Sequence, residues 1–172
     1  ACNIGGYFCE TQFNINNFRF KTLAAIELSH VAIDPKCANP KLIELLWSGI
    51  NHYADERGID TIFGALSLNI ENSHYPATRE INSLKTKYLS PNNYRVKPYN
   101  ILPPSRAVAG DNYEFPEIVD FIFDHGAMLC GDASWNNILN QAEIFFYINN
   151  QSNQQIPLHL QQYDISSSDL VA

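Results

Sequence analysis

The sequence predicts an α/β (α+β) fold in which a mixed sheet carries helices on both faces. Three observations predict it. Two apolar strand-like runs enclose one helix between residues 22 and 68, two further helical stripes follow, and a last apolar run, AEIFFYI, reads as a strand. The length of 172 residues suits a single domain over 1–150 with a polar arm over 151–172.

The first twenty residues hold Gly5-Gly6, then Phe13, Ile15, Phe18 and Phe20 among asparagines, and read as a loop with an irregular or helical piece. From Thr22 the run LAAIELSHVAID reads as a strand. Ile26 and Leu28 share one face, whereas Val31 and Ile33 have the opposite parity. A β-bulge near Ser29-His30 would return both pairs to one face, and a strand buried on both faces would tolerate either parity. Asp34-Pro35 ends this strand. Asn39 then offers an N-cap, Pro40 fits the first helical position, and Leu42, Ile43, Leu46, Ile50, Tyr53 and Ala54 form an apolar stripe that Gly58 stops. TIFGALSL is short and almost wholly apolar, as a central strand should be. Strand, helix, strand in this order and length predicts a crossover between parallel strands.

A second helix is expected from near Pro76, with Ala77, Ile81, Leu84 and Tyr88 inward and Ser90-Pro91-Asn92-Asn93 as its breaker. YRVKPY reads as a short edge strand, because Pro98 has no N–H for a ladder. Pro103-Pro104 and Gly110-Asp111-Asn112 mark a long loop. Pro116 opens a third helix that Gly126 ends, and residues 127–135 read as a strand and turn before AEIFFYI.

Composition narrows the function classes. Apolar residues at 45% against 17% charged point to a packed globule rather than a disordered chain. No run of 18 apolar residues exists to cross a membrane as a helix, and ACNIGGYFCE lacks the basic-then-apolar order of a secretory signal. Cys2, Cys9, Cys37 and Cys130 have no C-x-x-C spacing, so reduced thiols in a cytoplasmic protein, with no metal, are expected. A net charge of −7 disfavours nucleic acid and anionic lipid, although Arg79, Lys85, Lys87, Arg95, Lys97 and Arg106 form a local basic stretch.

Two residues carry candidate chemistry. Glu27 stands between Ile26 and Leu28 in an apolar strand, where a half-buried carboxylate could take a proton near neutral pH; a solvent-facing strand residue is the plainer alternative. His30, three residues on, could serve as base, orient Glu27 or donate to an oxyanion, or be purely structural. Ser29-His30 is not a hydrolase signature, since there is no G-x-S-x-G and neighbouring strand residues face apart. No P-loop or G-x-G-x-x-G is present.

The run IELSHVAIDPKCANPKLIELLWSGINHYADERGIDTIFGALSL resembles the middle of the GNAT-fold N-acyltransferases, nearest to the ornithine N-acyltransferase (hemolysin-like) and N-acyl amino acid synthase group. The resemblance is carried by Glu27-Leu28-Ser29-His30, Leu45-Leu46-Trp47-Ser48-Gly49-Ile50, Gly58-Ile59-Asp60 and Phe63-Gly64, with GGYFCETQFNI before and IVDFIFDHGAMLCGDASWN after. It implies a partly splayed mixed sheet and transfer of a fatty acyl group from an acyl carrier protein thioester to the amine of an amino acid or related small molecule. Glu27 and His30 would be catalytic, and Val31, Ala32, Ile33, Asn39 and Lys41 would receive the donor. Cys37-Ala38-Asn39-Pro40-Lys41 has none of the glycines with which coenzyme A enzymes cradle pyrophosphate, so a carrier-borne 4'-phosphopantetheine is favoured over acyl-CoA. No permanently bound cofactor is expected, and the basic stretch would receive the acidic carrier.

His30 stands where the family has arginine. The family also carries further elements ahead of its Gly-Gly segment, so the resemblance begins partway through that fold. It implies an open strand edge that would invite pairing with a second copy, and lipid-like products would make a peripheral contact with the inner membrane face natural. The same strand also resembles that of acyl-homoserine-lactone synthases. A third reading is a non-catalytic acyl-binding or interaction module on this scaffold.

Overall fold

The computed structural model describes residues 6–19, 24–31, 40–70, 74–104 and 114–150. The strand–helix–strand unit stands as expected. Strand β2 (Ala25–Leu28) pairs in parallel with β3 (Thr61–Asn69), and helix α2 (Pro40–Glu56) lies between them in sequence. Gly58, with φ 61°, supplies the left-handed residue that ends the α2 turn. Helix α3 (His74–Tyr88) starts two residues before the expected proline, and α4 (Glu117–Asp124) follows Pro116 and closes at Gly126, φ 92°.

The run AEIFFYI, last in the chain of the expected strands, lies in the middle of the sheet. Strand β7 (Gln141–Asn149) pairs antiparallel with all nine residues of β3, from Thr61↔Asn149 to Asn69↔Gln141. On its other side β5 (Met128–Leu129) and β6 (Ser134–Asn136) pair with it end to end. With β2 at the far edge, the main sheet is mixed and five-stranded, in an α+β arrangement. The run Ala142–Ile148 is buried throughout, which is why it carries no polar–apolar alternation.

Two cores cover the two faces. Ile62, Leu68, Ile144, Phe146 and Ile148 pack under the three long helices, against Trp47 and Ala54 of α2, Ile81 and Leu84 of α3, and Val119 and Ile122 of α4. Phe63, Phe145 and Tyr147 point the opposite way, into a second core with Cys9, Phe13, Ile15, Phe18, Val96 and Cys130. That core is built by a segment with little sequence pattern. A 3-10 turn (Phe8–Thr11), strand β1 (Phe13–Asn14) and the one-turn helix α1 (Asn16–Arg19) lie across the sheet there. The edge strand expected from YRVKPY is β4 (Lys97–Pro98), paired antiparallel with β1. Phe18 is fully buried and makes edge-on contacts with Phe63, Phe145, Tyr147 and Tyr94, each at ring separations of 5.2–6.3 Å. Aromatic pairs at such separations add about 0.5–1.5 kcal/mol each beyond area burial.

Cys9 and Cys130 are both buried, and burial pushes the Cys130 thiol well above its ordinary range. Among the described residues no helix is long and apolar enough to cross a membrane.

Candidate functional site

The site forms where the sheet opens. The β2–β3 ladder holds four register pairs and stops at Leu28↔Gly64, while β3 continues to Asn69. Within the described residues no bulge interrupts a continuing ladder near Ser29-His30. Among the described residues pairing stops at Leu28, and His30 turns the chain with φ 55°, a left-handed conformation that costs a non-glycine residue about 1–2 kcal/mol. Val31 follows this turn, and Ile33, the other residue of opposite parity, lies outside the described residues. Leu28, His30 and Val31 line one side of the opening, and Ala65, Leu66 and Ser67 line the other.

A cavity of about 300 Å³ occupies the gap. Its deep lining is Ile43 and Trp47 of α2, Ile122 of α4 and Phe146 of β7, all buried, with Leu28, Ile50 and Ile118 half-buried around them. The exposed residues of its lining are His30, Val31 (50% exposed), Leu46, Ser67 and Pro116. An apolar slot with a few polar groups at one end is the usual form of a small-molecule site.

Of the residues expected from sequence, His30 and Val31 line this cavity. The His30 ring also packs edge-on against Phe8, with centroids 4.3 Å apart. Glu27 is not among the lining residues. Its two oxygens accept backbone N–H bonds from the 3-10 turn, Oε2 from Phe8 at 2.8 Å and Oε1 from Cys9 at 2.7 Å. Glu27 thus ties the N-terminal segment to the sheet, a holding role that sequence reasoning did not foresee. Lys41 is exposed in the first turn of α2, away from the lining; Ala32, Ile33 and Asn39 lie outside the described residues. In the basic stretch, Lys85 pairs with Asp132, Arg79 with Glu80 at 2.8 Å, and Arg95 Nε donates to Ser90 O. Lys87 and Lys97 are exposed, and Arg106 lies outside the described residues.

Sequence reasoning missed Glu143. It sits mid-sheet on β7, opposite Ser67 on β3 and Ser134 on β6, and is only 7% exposed. Ser67 Oγ donates to its Oε1 at 3.0 Å. Burial pushes the Glu143 carboxyl above the ordinary glutamate range, opposed by the Ser67 bond and by the charge of His30. The signal was available: a lone carboxylate within A-E-I-F-F-Y-I stands out just as Glu27 does within A-I-E-L.

The raised proton affinity has a sign that can be tested. The folded state binds this proton more tightly than the unfolded chain does. The carboxylate therefore opposes folding above the raised value, and the penalty fades as pH falls towards the unfolded value of about 4.3. Glu143→Gln, which still offers an oxygen to Ser67, is expected to raise the melting temperature at pH 7, with the gain vanishing near pH 4. A gain of equal size at both pH values would contradict the buried-carboxylate account.

No family model, curated protein or solved structure matches this chain.

Proposed function

We propose that the protein is an N-acyltransferase that carries a fatty acyl group from a thioester to a small primary amine, with acyl carrier protein as the favoured donor and an amino acid as the favoured acceptor. One observation carries this reading: an apolar slot opens at the point where two parallel strands part, with polar groups only at its mouth. An acyl chain fits such a slot, because each methylene removed from water is worth about 0.8 kcal/mol. The thioester carbonyl then lies at the mouth, beside His30 and Ser67, where an amine can reach it from solvent. The likeness of Glu27-Leu28-Ser29-His30 and Leu45-Leu46-Trp47-Ser48-Gly49-Ile50 to the GNAT-fold N-acyltransferases supports the same chemistry.

The direct test incubates the protein with acyl carrier protein and coenzyme A thioesters of graded chain length and a panel of amino acids, and follows amide by mass spectrometry. Amide formation with at least one pair is expected; none with any pair overturns the reading. The engagement of Glu27 by backbone amides favours one competing reading, a non-catalytic acyl-binding module, which would bind the chains and release no amide.

The slot also sets the chain it accepts. Ile118 is half-buried in its wall, so Ile118→Trp fills space at modest cost to stability. The variant is expected to favour shorter chains, with about fourfold lower kcat/KM for each methylene left in water. An unchanged chain-length profile would place the acyl chain elsewhere.

A further inference from the structure

We propose that Ser67 and Glu143 form the proton relay of this site: Ser67 takes the proton of the incoming amine at the cleft mouth and passes its own to the carboxylate behind it. The inference rests on the acyl-transfer reading above. Ser67 is the cross-strand neighbour of Glu143, lines the cavity, and donates its hydroxyl hydrogen inward at 3.0 Å. Donating inward leaves its oxygen lone pairs to accept an N–H from a molecule in the cavity. Ser134, on the opposite side of Glu143, directs its hydroxyl at Gln12 Oε1 and Asn100 O instead, both at 3.2 Å. His30, at the end of β2, is the titratable group whose charge reaches Glu143. Glu27 is poorly placed for this work, since both of its oxygens hold backbone amides and it is absent from the cavity wall.

The chemistry requires such an acceptor. An ammonium group has no lone pair with which to attack. Its proton passes to Ser67 Oγ as the Ser67 hydrogen passes to Glu143, leaving a neutral amine and a carboxylic acid. The nitrogen then adds to the thioester carbonyl, the C–N bond forms, and the C–S bond breaks. The second nitrogen proton goes to the departing thiolate, giving amide and free thiol, and Glu143 returns its proton to solvent. A buried carboxylate suits this task because its proton affinity is shifted towards the working pH. Ser67 touches the substrate and is the catalytic residue; Glu143 acts through it.

The test compares kcat/KM across pH for the wild type, Ser67→Ala, Glu143→Gln and Glu143→Asp. Each is assayed with an amino-acid acceptor and with hydroxylamine, whose nitrogen is already unprotonated at neutral pH, after subtraction of the uncatalysed rate. With the amino acid, Ser67→Ala and Glu143→Gln are expected to lose about 10²-fold or more, the usual worth of a positioned base. They should also lose the low-pH limb of the wild-type profile, while Glu143→Asp recovers part of the rate. With hydroxylamine both should remain within a few-fold of wild type. Equal losses with both acceptors would mean a structural role and overturn the relay, as would unimpaired variants. A wild type that forms no amide with either acceptor removes the acyl-transfer reading itself, and the relay with it. Thermal unfolding of each variant confirms that folded protein is being compared.

Discussion

Gly64→Ala is expected to destabilise the protein by about 3 kcal/mol or more, at or above the upper end of the range for overpacked cores. Gly64 is the last β3 residue paired with β2 before the strands part. A Cβ there would lie 2.2 Å from the Leu28 carbonyl oxygen and 3.3 Å from the Phe146 ring. The closer neighbour is backbone, so relief requires β2 to move as a whole and not merely one side chain to rotate. Urea unfolding should show a lower midpoint at an unchanged slope. The strand must move at the cavity wall, so chain-length preference in surviving protein should broaden as well. A cost below about 1 kcal/mol would mean that β2 is held less tightly at this point than its register implies.

Glu27→Gln comes next in size, at about 2–4 kcal/mol. Each carboxylate oxygen accepts a charge-assisted bond from a backbone amide, and such bonds contribute about 1.5–3 kcal/mol apiece, less where solvent reaches them. Glutamine keeps one acceptor and turns an NH2 group towards the other amide, so one of the two backbone donors loses its partner. The loss should appear first as faster hydrogen exchange at Phe8 and Cys9, because the turn that carries them lies against the sheet through this side chain. Turnover of the folded variant should stay within a few-fold of wild type. A hundredfold fall in kcat in protein that remains folded would return Glu27 to the chemistry.

What could be read in the sequence was what local pattern governs. Helix α2 announces itself by Asn39-Pro40, an apolar stripe and Gly58, and β3 and β7 by short unbroken apolar runs, because burial on one face or on two writes itself directly into residue spacing. The segment from Tyr7 to Phe18 was opaque for the opposite reason. Its 3-10 turn, two-residue strand and one-turn helix are held by partners far along the chain: Glu27, Phe63, Phe145 and the β4 backbone. Residues 25–28 read correctly as strand, yet the place where the strand ends depends on the left-handed turn at His30, which no spacing encodes. The site was half legible. His30 and Val31 could be named, whereas Glu143 becomes conspicuous only once β7 is known to run beside Ser67.

The long β3–β7 ladder has a consequence for the making of the protein. Its two strands are separated by the 71 residues from 70 to 140, so one edge of β3 stays without its neighbour until that whole stretch has been synthesised. At bacterial or eukaryotic elongation rates this interval is about 4–14 s. Throughout it, TIFGALSL is an apolar strand with two open edges or, once β2 has docked, one. Folding is therefore gated by late arrival of a distant segment, a topology that slows it. The nascent chain depends meanwhile on chaperones, or on dilution, to keep that edge from finding another like it.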